Sequence, residues 1–140
     1  MRSETENWAF HIDGAGSRPD GTGSGFGWVR LDRNEHEQRI KWIAGLTSNQ
    51  AEYRGLLSVL KYLPPGSTAI ISTDSQLVCE QFNGRWAARD PGLRDLLQRA
   101  HRIIEEKELE VQVRWIPREE NLAGKLLDRI PSRWKRDKTA

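Results

Sequence analysis

The sequence has very little of the residues on which disulfide-linked and zinc-binding proteins depend. It contains 1 cysteine, Cys79, and 3 histidines among 140 residues. A single cysteine excludes an internal disulfide and a multi-cysteine zinc site. It is also the usual pattern of proteins that work in a reducing compartment. We therefore predict a cytoplasmic location.

Long apolar runs and a large excess of one charge are missing as well. No stretch approaches the roughly 20 apolar residues of a membrane-spanning helix, and the polar segment 1–7 does not resemble a signal peptide. The 22 basic and 20 acidic residues leave a net charge of +2. This balance excludes a histone-like binder, whereas nucleic-acid binding through a local basic surface stays open.

What the sequence does have is a regular succession of strand and helix patterns. Alternating or β-branched apolar residues predict strands at 7–13, 26–31, 39–44, 68–72 and 111–115. Apolar residues at helical spacing predict helices at 51–63, 75–82, 93–104 and 122–130. The order β-β-β-α-β-α-α-β-α predicts an α/β protein with a mixed sheet and helices packed on it. Of the 6 tryptophans, the four in strand patterns are expected in the core: Trp8, Trp28, Trp42 and Trp115.

Three acidic residues stand where α/β proteins place their sites. Asp13 ends the first predicted strand, Asp74 follows the fourth, and Glu52 lies in the first turn of the first helix. Each of them alone is explained more simply as a turn residue or a helix cap. Three converging carboxylates would repel one another unless a divalent cation neutralised them, and oxygen ligands favour Mg²⁺ or Mn²⁺.

Four motifs resemble the type 1 ribonuclease H family in their order and spacing. They are Phe10-His-Ile-Asp-Gly-Ala-Gly-Ser17, Thr47-Ser-Asn-Gln-Ala-Glu-Tyr53, Ser72-Thr-Asp-Ser-Gln-Leu-Val78 and Trp115-Ile-Pro-Arg-Glu-Glu-Asn121. The resemblance covers residues 7–130 and is closest to the short prokaryotic form, which lacks a basic protrusion. It implies a ribonuclease H-like fold, with a three-strand antiparallel meander and two parallel strands in one sheet.

The resemblance also implies an activity and a metal site. The family cleaves the RNA strand of RNA–DNA hybrids, leaves a 5′-phosphate and a 3′-hydroxyl, and uses two Mg²⁺ ions, or Mn²⁺ in their place. Carried over by motif, Asp13 bridges both ions, and Glu52 and Asp74 hold one of them. The ions then activate a water and stabilise the leaving 3′ oxygen.

The fourth motif departs from the family at Lys125, which occupies the position of the family's fourth acidic residue. Several interpretations remain open. Lys125 replaces one ion, or a weaker second ion binds without a protein ligand there. Asp128 substitutes from one turn later, or Asn121 or Glu120 supplies an oxygen. Lys125 points to solvent, or the protein has lost activity. No histidine precedes the last helix, which leaves Glu119 and Glu120 as the only candidates for assisting proton transfer.

The motifs also indicate a substrate-binding surface. The resemblance implies close approach of the RNA at Gly14, Ala15 and Gly16, contacts to RNA sugars from Ser48, Asn49 and Gln76, a DNA-strand phosphate at Thr47, and DNA packing on Trp86. A hybrid differs from DNA in the 2′-hydroxyls that such polar groups would contact. Helix capping by Thr47 or Ser48, and simple burial of Trp86, are the alternatives.

Three functional hypotheses follow. The first is a hybrid-cleaving endoribonuclease, and the second is a catalytically impaired module that binds hybrids or double-stranded RNA. The third is a transposase or integrase core, which the helix starts at Asn49–Glu52 and Asp74–Gln76 disfavour. We expect a disordered segment 1–6, one domain at 7–130 and a basic tail at 131–140. The N-terminal segment is too short for a separate hybrid-binding domain, and we expect a monomer.

Overall fold

One mixed sheet organises the protein. The computed structural model describes residues 7–17, 23–32 and 37–128. The strands are β1 Asn7–Ala15, β2 Gly25–Arg30, β3 Gln38–Trp42, β4 Thr68–Thr73 and β5 Glu110–Trp115. They lie in the order β3-β2-β1-β4-β5, with β1, β2 and β3 antiparallel and with β4 parallel to both β1 and β5. This confirms the predicted meander with two parallel strands.

Within the described residues, four helices and one 3₁₀ turn, Arg118–Glu120, connect and cover the strands. The helices are α1 Ser48–Tyr62, α2 Gln76–Phe82, α3 Pro91–Lys107 and α4 Leu122–Asp128. Side-chain oxygens of Thr47, Ser75 and Asp90 accept hydrogen bonds from the first turns of α1, α2 and α3. The apolar spacing that predicts the first helix begins at Ala51, and the cap at Thr47 starts the helix three residues earlier, at Ser48.

The sheet is covered on both faces, by α1 on one side and α4 on the other. Trp28 points to α1, where its Nε1 donates a hydrogen bond to Ser58 Oγ at 3.0 Å. Its neighbour Gly27 faces the opposite way, and a Cβ added there would lie 3.5 Å from Leu127 of α4. The large core lies on the α1 side, whereas α4 packs through a small separate cluster of Val29, Ala123 and Leu126.

The tryptophans divide between core and surface. Trp28 is 1% exposed, and Trp8 and Trp42 are half-buried, in line with their strand patterns. The prediction for Trp115 was wrong, because 51% of this residue is exposed. It ends the edge strand β5, beyond the buried Val113, so the alternating pattern continues past the part of the strand that helices cover.

Some predicted features lie outside the described residues. These are the segment 1–6, the end of the last predicted helix at 129–130, and the basic tail at 131–140. Within the part that is described, no helix combines the length and the apolar character that a membrane crossing requires.

Candidate active site

Asp13, Glu52 and Asp74 meet at one end of the sheet. Each offers a carboxylate oxygen, and these three atoms lie within 4.8 Å of one another. The parallel pairing of β1 and β4 explains the meeting of the two aspartates, because Ile12 pairs with Thr73 and the next residues are Asp13 and Asp74. The structure thus brings together three acids that lie far apart in the sequence.

Glu52 reaches the aspartates because α1 packs directly on the end of β1. A Cβ added at Gly14 would lie 2.4 Å from the carbonyl carbon of Ala51 and 2.5 Å from the nitrogen of Glu52. A Cβ at Gly16 would lie 2.5 Å from the nitrogen of Ser48. The two glycines after Asp13 therefore permit a backbone approach that a larger residue would prevent.

Asn121 fixes the third acid from the start of α4. Its Nδ2 donates to the backbone oxygen of Ile12 at 2.8 Å and to Asp74 Oδ2 at 3.1 Å. Its Oδ1 accepts from the backbone nitrogens of Ala123 at 2.9 Å and Gly124 at 3.4 Å. The residue is 0% exposed. Because its oxygen already caps α4, the geometry favours a positioning role over the metal ligation considered from the sequence.

The electrostatics of the cluster favour a cation. Burial raises the pKa of the Asp13 carboxyl to about 6, and the charge of Asp74 adds to the rise. Burial also raises the pKa of Glu52, with Asp13 and Asp74 contributing. Asp13 Oδ1 and Glu52 Oε1 are buried without a hydrogen-bond partner among the described residues. Three clustered carboxylates with unused oxygens fit a divalent ion such as Mg²⁺ or Mn²⁺.

Arg118 borders the open side of the cluster, and the sequence did not single it out. Its guanidinium Nη1 lies 3.4 Å from Asp74 Oδ2 and 3.9 Å from Asp13 Oδ1. The side chain is 67% exposed. The only available signal was its place within the fourth motif. Glu119 and Glu120, the candidates for proton transfer, are exposed in the same turn.

Lys125 lies in an adjoining cleft rather than against the three acids. The cleft has a volume of about 200 Å³ and is lined by Arg118, Glu119, Gly124, Lys125 and Asp128. Lys125 is exposed, and no acid of the described residues lies within 4.0 Å of its ammonium group. Gly124 of α4 lies against the cluster, since a Cβ there would lie 3.2 Å from Asp13 Oδ2.

Asp128 is also outside the carboxylate cluster. The group of metal-capable side chains found among the described residues holds Asp13, Glu52 and Asp74, without Asp128. A shift of three helical residues moves the side chain about 4.5 Å along the axis. The structure therefore does not bring Asp128 to the fourth-acid position, which Lys125 occupies.

Apart from Trp86, the residues expected to bind substrate lie on the segments that carry the three acids. Thr47 begins α1 with a capping box: its Oγ1 accepts from Gln50 N at 3.1 Å, and Gln50 Oε1 accepts from Thr47 N at 2.9 Å. Ser48, Asn49 and Gln76 are exposed at the starts of α1 and α2, and Ala15 is half-buried beside the two glycines. Trp86 is 45% exposed in the segment before α3, so simple burial does not explain it.

Comparisons with known proteins agree with this geometry. The family model described as "Reverse transcriptase-like" matches residues 11–127. Among curated relatives, the "Bifunctional protein Rv2228c" of Mycobacterium tuberculosis is 32% identical over 111 residues. The match takes in 76% of this chain but 30% of that protein, so the chain spans less than one third of its relative's length.

Solved structures show the same arrangement of elements. The N-terminal ribonuclease H domain of Rv2228c gives a TM-score of 0.73 at 31% identity, covering 87% of this chain and 95% of that one. Ribonuclease H1 of the halophilic archaeon Halobacterium salinarum gives 0.74 at 28% identity, covering 87% and 94%. LC11 ribonuclease H1, isolated from compost and solved with an RNA/DNA hybrid, gives a TM-score of 0.76 at 24% identity and covers 86% of this chain and 93% of that one. At this level of identity the likeness shows the fold alone.

Proposed function

The chain belongs to the type 1 ribonuclease H family, and from this membership we propose that it cleaves the RNA strand of RNA–DNA hybrids. The observation that carries the proposal is the cluster of the buried Asp13 and Glu52 with the half-buried Asp74, in which one carboxylate oxygen of each lies within 4.8 Å of the others. In the reaction, a water oxygen bonds to the phosphorus and the bond from phosphorus to the 3′ oxygen breaks. One product carries a 5′-phosphate, and the other takes the proton on its 3′-hydroxyl.

The three carboxylates would hold magnesium or manganese. Such an ion supplies Lewis-acid stabilisation of phosphoryl oxygens and lowers the pKa of water. We include two ions in the substrate complex, because phosphate oxygens add ligands that the protein alone lacks. Asn121 keeps Asp74 oriented through the 3.1 Å hydrogen bond. Arg118, at 3.4 Å from Asp74, offsets part of the repulsion among the acids.

We propose that Lys125 leaves the second ion with a weaker protein environment. At the equivalent position a carboxylate would attract the ion, whereas the exposed ammonium of Lys125 adds a positive charge next to Arg118. The enzyme is therefore expected to cleave more slowly than a relative with four acids, and to depend more strongly on metal concentration. A module that binds hybrids without cutting them is the alternative outcome of the experiments below.

A cleavage assay tests the activity. Purified protein is incubated with an end-labelled RNA–DNA hybrid in Mg²⁺ and, separately, in Mn²⁺. We expect cutting of the RNA strand that Asp74→Asn abolishes and that Asp95→Asn preserves. Asp95 is a matched control because it is exposed on α3, where it pairs with Arg99 at 3.0 Å. Intact hybrid binding with no cutting in either metal would refute the enzymatic proposal and leave a binding module.

Lys125→Asp tests the altered fourth position. The number of bound ions is measured by isothermal titration with Mn²⁺ alongside the cleavage rate, with Asp128→Asn as a second variant. A tighter second ion together with faster cleavage is expected for Lys125→Asp. Unchanged ion binding with equal or slower cleavage would instead indicate a site adapted to lysine. Loss of ion binding in Asp128→Asn would make Asp128 a ligand.

The proposal extends to the state of the protein in the cell. Its single cysteine, Cys79, is free and buried, as is usual in a reducing cytoplasm. We propose a cytoplasmic monomer, and light scattering coupled to size-exclusion chromatography measures the mass in solution.

A further inference from the structure

A second feature of the surface is a groove lined by four basic side chains. Arg39 and Lys41 of β3 face Arg54 and Lys61 of α1 across a volume of about 230 Å³. Its remaining walls are formed by Phe26, Ile43, Leu57 and Ser58. We call this the basic groove. It is separate from the carboxylate cluster, and none of its cations belongs to the motifs of the family resemblance.

The fold creates the groove at the edge of the sheet. Arg39 pairs with Trp28 and Lys41 pairs with Phe26, so both basic residues share the sheet face on which α1 packs. Helix α1 packs mainly on β1 and leaves this face of the edge strand β3 uncovered. Arg54 and Lys61 are seven residues apart on α1, and this spacing puts them on the same side of the helix.

The four cations lack acidic partners. No carboxylate of the described residues lies within 4.0 Å of any of them. The Nε of Arg54 is buried and has no hydrogen-bond partner among the described residues. Two acids of neighbouring segments pair with other cations: Glu37 pairs with Arg30 at 2.6 Å, and Asp95 pairs with Arg99 at 3.0 Å. Four like charges without partners repel one another, and an anion in the groove would relieve that repulsion.

The basic groove is continuous with the expected path of the DNA strand. Arg54 also lines a neighbouring cleft, of about 170 Å³, together with Gln50 and Arg99. Gln50 in turn bonds to Thr47, the residue at which the family resemblance implies a DNA phosphate. From Thr47 to Lys61 the helix rises about 21 Å. That length corresponds to about six base-pair steps along a duplex.

We propose that the basic groove binds backbone phosphates of the DNA strand of the hybrid, continuing outward from Thr47. The inference rests on the proposed function and adds to it a second contact region for the same substrate. Binding in the groove would be independent of base sequence, because arginine and lysine contacts to phosphates do not distinguish bases. The proposal also means that affinity depends on duplex length, since a short hybrid centred on the three acids would not reach the groove.

The salt dependence of binding tests the proposal. Fluorescence anisotropy gives the dissociation constant of a long labelled hybrid in EDTA, where no cleavage occurs, over a series of salt concentrations. For Arg39→Gln and for Lys41→Gln we expect the slope of log affinity against log salt to become shallower by about 1 each. The matched control is Arg102→Gln, which removes the same charge from the exposed surface of α3. Equal slopes for Arg39→Gln and Arg102→Gln would overturn the proposal.

Neutral linkages identify the strand. Methylphosphonates placed in the DNA strand remove the charges that the groove would bind, so they should weaken hybrid binding by the wild-type protein more than by Arg39→Gln, which has already lost one of the four cations. The same linkages in the RNA strand should weaken both proteins alike. A result with the strands reversed would overturn the assignment to DNA. Lys41→Gln repeats the test at an exposed side chain, so a folding defect in Arg39→Gln cannot decide the outcome.

The failure of this inference can be separated from a failure of the proposed function. If the wild-type protein binds and cleaves hybrids, but the groove variants leave the slope of log affinity against log salt unchanged, only the groove proposal is refuted. A wild-type protein that does not bind hybrids refutes both proposals.

Discussion

Asp13 shows how a single residue can carry function at the expense of stability. It is 2% exposed, and one of its oxygens has no hydrogen-bond partner among the described residues. Burial and the nearby Asp74 raise its pKa from 3.8 to about 6. The folded protein therefore holds a proton on this carboxyl at pH values where the unfolded chain has released it. Such a site opposes folding unless a cation binds.

The pH dependence of stability follows from this shift. Below pH 3.8, the pKa of Asp13 in the unfolded chain, the carboxyl is protonated in both states and does not affect the free energy of unfolding. As pH rises from 3.8 to the folded-state pKa of about 6, the free energy of unfolding decreases. The loss corresponds to about 3 kcal/mol for Asp13. We expect urea unfolding in EDTA to show a decline over this range that is smaller in Asp13→Asn, in which the raised pKa of the buried Glu52 still contributes. Parallel pH profiles for the two proteins would show that Asp13 titrates normally.

At the residue level, the sequence pointed to Asp13, Glu52 and Asp74 as a converging group. It did not predict the side chains that contact them. Asp13, Glu52 and Asp74 stood out because they follow strands or open a helix. The positioning role of Asn121 depends on a hydrogen bond to the oxygen of Ile12, which is 109 residues away in sequence. The closeness of Arg118 to two aspartates is equally long-range. No local pattern encodes either contact.

Among the elements, α1 combines the largest number of tasks. It carries Glu52 into the carboxylate cluster, packs on β1 through the space left by Gly14, and presents Arg54 and Lys61 to the basic groove. Its first turn is closed by the reciprocal hydrogen bonds of Thr47 and Gln50. The start of this helix therefore determines both stability and the position of Glu52 in the carboxylate cluster.

Removing the cap of α1 is expected to cost measurable stability. Thr47→Val keeps the shape of the side chain but loses the acceptor for Gln50 N, and we expect a loss of about 1 kcal/mol in the free energy of unfolding. Thr47→Ser keeps a hydroxyl acceptor and should retain most of the wild-type stability. Ser48→Ala is the matched control, since Ser48 is exposed beside the cap. Urea titrations of the three variants measure the differences, and an effect of Ser48→Ala as large as that of Thr47→Val would contradict the assignment.

Element boundaries were harder to predict than the elements themselves. The apolar spacing of α1 begins at Ala51, yet the helix starts at Ser48 because the Thr47–Gln50 box uses polar residues. The alternation of β5 was correct in register but not in burial. Val113 is 3% exposed and Trp115 is 51% exposed, because the strand runs beyond the helices that cover it. Periodicity predicts which face a residue occupies, and tertiary cover decides whether that face is buried.

At the scale of the whole molecule, the order of elements was enough to predict the sheet. Three alternating strands followed by strands separated by helices allow few arrangements, given short connections and right-handed crossovers. The observed order β3-β2-β1-β4-β5 is one of these. The basic groove could not be predicted, because it forms between an edge strand and a helix whose basic residues lie 13 to 22 positions apart along the chain.

A divalent cation is expected to stabilise the whole protein, because it would bind the folded carboxylate cluster and not the unfolded chain. At a concentration 100 times the dissociation constant, the gain is about 2.7 kcal/mol. Thermal unfolding in EDTA and in increasing Mg²⁺ or Mn²⁺ should show a rising midpoint near neutral pH. Asp13→Asn should remove most of that rise, while Asp95→Asn should leave it intact. A thermal unfolding midpoint that neither metal changes would argue against a metal site at the carboxylate cluster.

The separate packing of α4 has a consequence for how long the active site stays intact. Helix α4 rests on the small cluster of Val29, Ala123 and Leu126, apart from the large core beneath α1. Local unfolding of α4 would release Asn121 from Ile12 and Asp74 while the sheet and α1 stay folded. A unit with so little buried contact opens at a lower free energy than the domain as a whole. On heating, activity would then disappear before the protein melts, and the amide protons of α4 would exchange with solvent sooner than those of β1 and β4.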